Sequence, residues 1–163
     1  MKKAKINSLM LIAQMGQYVV VLEAIDDQRL VPIWIGASEG SSIALQLQGA
    51  ELPRPITHDL IVNILKMFDV KFQKIIVSDL KDNTYFAIIE LEFQGRHYEI
   101  DARPSDAIAI AVRSDTPIFI DEKVLEKCPK IDRPISDEEV DKFKKDLQNM
   151  SPEEFFKRLE KKD

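Results

Sequence analysis

Along the chain, hydrophobic positions recur first with period two, then at helical spacing, then with period two again. Lys3 to Ile12 reads as a strand. Gln17 to Ile25 reads as a second, with Tyr18, Val20 and Leu22 on one face and Val19 and Val21 on the other. Apolar residues on both faces predict a central strand. Asp26, Asp27 and Gln28 form a turn, and Leu30 to Ile35 is a third strand, so the opening is predicted to be an antiparallel meander.

Gly36 ends that strand. Ser38 is a candidate N-cap for a helix through Ile43, Leu45 and Leu47 to about Gly49. The run "LPRP" breaks the chain at Leu52 to Pro55. Thr57 then caps a second helix, whose apolar face is Ile61, Ile64, Leu65 and Phe68. Strands resume at Val70 to Ser78 and Thr84 to Phe93, with "LKDN" (Leu80 to Asn83) as the hairpin turn between them. Gln94 and Gly95 turn the chain into a strand at Arg96 to Asp101. A helix from Ser105 to about Arg113 and a short strand, "PIFI", complete the body. This order predicts an α+β fold: a mixed, largely antiparallel sheet with three core helices.

The pattern changes at about Ile131. "SDEE" and "SPEE" both fit the capping box, the second with Pro152 in the first turn. Val140, Phe143 and Leu147 make one thin stripe; Phe155, Phe156 and Leu159 make another. Two amphipathic helices are predicted, docked on the body or on a neighbouring chain. The division is a domain over residues 1–130 and a helical tail over residues 131–163.

Composition narrows the function classes. With 163 residues, 45% of them hydrophobic, the chain suits one compact domain with an appendage. A net charge of −5 does not steer a polyanion, so any contact with RNA or DNA must be local. Cys128 is the sole cysteine, which excludes an internal disulfide and a cysteine-based zinc cage. The N-terminal apolar runs are broken by Gln14, Gly16 and Gln17, unlike a signal peptide. No stretch is long enough to span a bilayer, and the tail's polar faces mix both charges. A cytoplasmic chain with no membrane partner is expected. Strands apolar on both faces, and Trp34 within an apolar run, predict a homo-oligomer, most simply a twofold dimer. The alternative is that the tail helices fold back and complete a monomer.

The chemistry concentrates in "YEIDARPSDAIAIAV". Alternation turns Tyr98 and Ile100 one way and His97, Glu99 and Asp101 the other. Asp101, Arg103, Ser105 and Asp106 then form a strand-to-helix corner, where a helix N-terminus favours acids and anions. Read singly, each residue has a structural role. Ser105 or Asp106 caps the helix, Arg103 pairs with Asp101, and His58 is a surface histidine. The same design recurs at Ser38–Glu39 and at Thr57–His58–Asp59, just after Arg54. If these corners share a sheet edge, Glu39, His58, Asp59, Asp101 and Asp106 meet Arg54 and Arg103. Carboxylates there would hold Mg²⁺ or Mn²⁺, arginines would bind phosphate, and His58 would transfer protons. Lys81, Asp82 and Asn83 have an ordinary reading as turn residues.

Four segments, "VPIWIGASEG", "RPITHDLI", "SDLKDNTYFAIIEL" and "IDARPSDAIAIAV", resemble the bifunctional nuclease family in order over about residues 3–125. The tail "FKKDLQNMSPEEFF" also resembles the end of many bacterial members. The resemblance implies hydrolysis of phosphodiester bonds in RNA and DNA, an activity attached to plant members; for bacterial members it implies the fold more firmly than the reaction. By position, the family's motif residues are Glu39, Arg54, His58, Asp59, Lys81, Asp82, Asn83, Asp101, Arg103, Ser105 and Asp106. His58, Asp59, Asp101 and Asp106 are then the catalytic candidates. Arg54, Lys81, Asn83, Arg103 and Ser105 are candidates for substrate binding, and Glu39, Asp82, Asp101 and Asp106 for metal ligation. The other expectation is a non-catalytic oligomeric module that binds an anionic ligand or a protein partner through the same corner.

Overall fold

A strand that is apolar on both faces needs cover on both, and this chain supplies helices to each side of one sheet. The computed structural model describes residues 1–132, 134 and 136–161, with the backbone alone at Leu159. The elements run β1 (Lys2–Ile12), β2 (Gln17–Ala24), β3 (Arg29–Ile35), α1 (Ala37–Leu47), α2 (Thr57–Met67), β4 (Lys71–Lys81), β5 (Thr84–Phe93), β6 (Arg96–Ala102), α3 (Pro104–Ser114), β7 (Ile118–Ile120), α4 (Glu122–Lys127), α5 (Asp137–Asn149) and α6 (Pro152–Glu160). The strands form one sheet in the order β3-β2-β1-β7-β4-β5-β6. It is two antiparallel meanders joined by β7, which pairs antiparallel with Lys2–Ala4 and parallel with Ile75–Val77. The α+β class and the mixed, largely antiparallel sheet are as predicted.

On the first meander, β2 is the central strand and Val19 to Leu22 are fully buried. α1 lies against Tyr18 so closely that a Cβ at Gly40 would sit 2.2 Å from Tyr18 Cδ2, and only glycine allows that approach. The opposite face is covered by the tail. Trp34 meets the rings of Phe155 and Phe156, each at 5.8 Å between centroids, and Leu147 is fully buried. The tail helices therefore fold back on the chain's own body. Both capping boxes form, Ser136 with Glu139 and Ser151 with Glu154. The Leu159 side chain of the predicted second stripe lies outside the described residues.

On the second meander, Ile75, Val77, Ala87 and Ile89 are buried on the face that α3 covers. Alanines at 107, 109 and 111 are buried in α3 and permit close packing. The reverse face carries a Lys74–Glu90 ion pair at 3.1 Å and a 38% exposed Phe86. β4 runs past its predicted end at Ser78 through an irregularity between Val77 and Asp79. Asp82 (φ 47°) and Asn83 (φ 59°) make a two-residue left-handed hairpin turn, a conformation that short polar side chains tolerate.

Several local expectations need correction. The N-caps are Gly36, Ile56 and Arg103 rather than Ser38, Thr57 and Ser105 or Asp106. Each helix starts earlier, and Pro104, with its fixed φ, takes the first turn of α3. α4 was not foreseen; its six residues are too few to show a period, though Asp121 caps it through Lys123 N. The largest correction concerns α2. Of the four residues read as its core face, Ile61, Ile64 and Phe68 are 36%, 46% and 61% exposed, and Leu65 packs against the core as predicted. The side of α2 that packs on α3 instead buries His58 and Val62. No helix among the described residues is long and apolar enough to cross a membrane.

Candidate functional site

Glu39, Asp59 and Asp106 each occupy the third position of their helix, where a carboxylate meets first-turn amides and the positive helix end. Asp59 does so directly, since Oδ2 accepts from Ile56 N at 2.9 Å. Glu39 and Asp106 turn instead toward Arg103, whose guanidinium donates from Nη2 to Glu39 Oε1 at 2.9 Å and from Nε to Asp106 Oδ2 at 2.7 Å. The predicted Arg103–Asp101 pair does not form. Asp101 is in register with Ile88, so it lies on the sheet face of Phe86, opposite the face that α3 covers.

The other oxygen of Asp106 meets His58. Oδ1 lies 3.0 Å from Nε2, and Nδ1 lies 2.8 Å from Ser42 Oγ. His58 is only 7% exposed and Ser42 4%, so the imidazole is an interior group, not the surface histidine expected. A continuous chain results: Ser42, His58, Asp106, Arg103, Glu39. It crosses from the buried junction of α1, α2 and α3 to an exposed arginine whose side chain is 67% accessible. Burial works to raise the pKa of Asp106, but hydrogen bonds from Arg103 and His58 outweigh it and hold the carboxyl below its usual range. The Asp106 carboxylate, and after it Glu39, push the Arg103 guanidinium above its ordinary value. An ionised Asp106 can only accept, so Nε2 of His58 carries the proton in this contact.

Arg113 organises the floor beneath. Its side chain is 4% exposed and donates to Asp59 Oδ1 at 2.6 Å, Ala109 O at 2.9 Å and Ser42 O at 3.0 Å, tying α3 to both other helices. Burial also opposes the ionisation of Asp59, and the Ile56 amide with Arg113 reverses the balance, so this carboxyl too titrates low. A carboxyl whose folded pKa lies below its unfolded value of about 3.9 stabilises the fold above that pH, and the contribution is lost as pH falls through the folded pKa. Urea unfolding between pH 7 and pH 2 should therefore show a steep acid loss, and an Asp59→Asn/Asp106→Asn variant should lose less over the same window. Parallel curves for the two proteins would mean that these carboxyls carry no such stabilisation.

The remaining candidates disperse. Ser38, Glu39, Ser42, Thr57, His58, Arg103 and Asp106 line one depression. Arg54 lines a neighbouring one with Asp59 and Arg113. Asn83 and Ser105 border a third, on the far side of Arg103. Lys81 pairs with Asp79 at 3.2 Å and sits over the Phe86 ring, on the same sheet face as Asp101. Asp82 stands at the hairpin turn. The single convergence of all the candidates is thus reduced to four of them, with Ser42 added. Sequence reasoning passed over Ser42 and Arg113. Ser42 follows Glu39 by three residues, a spacing that puts both on one helix face.

The four-carboxylate metal centre does not assemble. Asp106 already accepts through both oxygens, Glu39 through Oε1, and among the described residues no group of three or more His, Cys, Asp or Glu side chains is placed to hold an ion. As arranged, these donors do not fit a divalent cation.

Comparison with known proteins places the chain. Two proteins of Mycobacterium tuberculosis, from strains CDC 1551 / Oshkosh and ATCC 25618 / H37Rv and both named only as uncharacterized, are each 39% identical to it over 149 residues, 86% of this chain and 89% of theirs. The family model described as the bifunctional nuclease domain matches residues 20–132, a span that holds every residue of the Ser42–His58–Asp106–Arg103–Glu39 chain, and the protein belongs to that family.

Proposed function

We propose that this protein hydrolyses phosphodiester bonds in RNA or DNA at the α1–α2–α3 junction, with His58 as the proton-transfer group. The supporting observation is the hydrogen-bonded chain from Ser42 through His58 and Asp106 to Arg103. Arg103 offers an exposed guanidinium suited to a phosphate. With Nε2 protonated against Asp106, Nδ1 of the neutral ring faces the Ser42 hydroxyl as a base. A water attacking phosphorus delivers its proton to the Ser42 hydroxyl, which passes its own to His58. Asp106 stabilises the imidazolium, and the reverse relay protonates the leaving alkoxide. The family's nuclease name points to the same reaction class. A homodimer in the cytoplasm is the proposed working unit.

Labelled single-stranded RNA and DNA provide the test, in buffers with Mg²⁺, with Mn²⁺ and with EDTA. Wild type, Asp106→Asn and Asp101→Asn are purified identically. Asp106→Asn should cut at least about 100-fold more slowly, the lower end of what general acid–base catalysis contributes. Asp101→Asn, altered on the opposite sheet face, should cut like wild type. Equal cleavage by all three would reveal a contaminating nuclease, and loss in Asp101→Asn alone would move the site to the other face.

A further inference from the structure

We infer that the outward stripe of α2 is the contact surface between two copies of this chain, paired antiparallel about a twofold axis near Ile64. Five large apolar side chains lie on this helix and its C-cap in the open: Leu60 at 51%, Ile61 at 36%, Ile64 at 46%, Met67 at 79% and Phe68 at 61% exposure. Their free surface is roughly 500 Å², at the upper end of the largest apolar patch on an ordinary monomer. The inner side of α2 is already packed on α3, and the tail helices are occupied at Trp34. Nothing else among the described residues covers the stripe.

A second copy is the occupant that fits. A dimer of standard size buries about 800 Å² on each partner. The stripe alone supplies more than half of that, and the exposed Asn63, which flanks it beside Met67, adds polar rim. The stripe is also self-complementary. Antiparallel pairing about Ile64 sets Leu60 opposite Phe68 and Ile61 opposite Met67, apolar against apolar, as a twofold interface requires. Two helix dipoles also run in opposition in that arrangement. The stripe faces away from the side of α2 that holds His58, so the assembly stands whether or not the chain cleaves nucleic acid.

Light scattering on the full chain across the micromolar range is the first measurement. The expected mass is twice the 18.7 kDa of one chain. Ile64→Glu/Met67→Glu should halve it while leaving the far-UV circular dichroism unchanged. Oxidation of Ile64→Cys should cross-link the dimer covalently, whereas Leu11→Cys, on an equally exposed site of β1, should not. The cross-link keeps the inference testable if the charged variant fails to fold. A wild-type monomer at 100 µM would overturn it, leaving the stripe to a partner of another kind. A dimer that ignores the glutamates, or cross-links from β1 as readily as from α2, would overturn it too.

Discussion

Arg113→Ala is expected to cost about 3 kcal/mol of folding stability, at the low end for breaking a buried ion pair. For a chain of this length that is a fall of roughly 6–12 °C in Tm. The low end applies because Asp59 keeps 27% of its side chain accessible and retains the Ile56 amide. Removing Arg113 also takes a side-chain donor from the Ser42 carbonyl, in a helix whose Ser42 hydroxyl positions His58. Arg113→Lys should recover little, because an ammonium cannot reach three acceptors on three helices with the fixed fork of a guanidinium. Thermal unfolding of both variants, with Asp59→Asn to close a double-mutant cycle, measures the coupling. A fall of under about 2 °C in Arg113→Ala would show that the floor does not depend on this residue.

The second large effect is on catalysis. His58→Gln keeps an amide able to hydrogen-bond Ser42 and Asp106 but cannot take up a proton. Cleavage by this variant should fall about 10²–10⁴-fold, the span of general acid–base catalysis, while Tm moves far less than in Arg113→Ala. Single-turnover rates with saturating enzyme separate this loss from weaker binding. Arg103→Ala should do the opposite, weakening substrate binding more than the rate of the bound complex. A His58→Gln protein that cleaves at the wild-type rate would reduce His58 to a structural bridge between α1, α2 and α3.

Much of this was legible in the chain. Period-two runs identified six of the strands because side-chain alternation is a local property, and the capping boxes of the tail were readable because their partners lie three residues apart. The alternation of β6 already set Asp101 opposite Ile100; what it could not say was which face the helices would cover. α2 shows the same limit. Its spacing announced an apolar side, and an apolar side is equally consistent with a core or with a contact surface. Ser42 and Arg113 were overlooked because their partners are 16, 54 and 71 residues away, and no local pattern encodes such a meeting.

The short bridging strand has a consequence for the order of assembly. Each meander is built from hairpins between consecutive strands and can form as soon as its own residues are available. The sheet cannot become continuous until Ile118–Ile120 reaches both, and its partner on one side is Lys2–Ala4, almost at the start of the chain. Closing so long a loop carries a large entropic cost, returned only when β7 is zipped between the two halves. The chain is therefore expected to fold through two half-sheets, and on the ribosome both wait with unpaired edges until the residues around 120 have emerged.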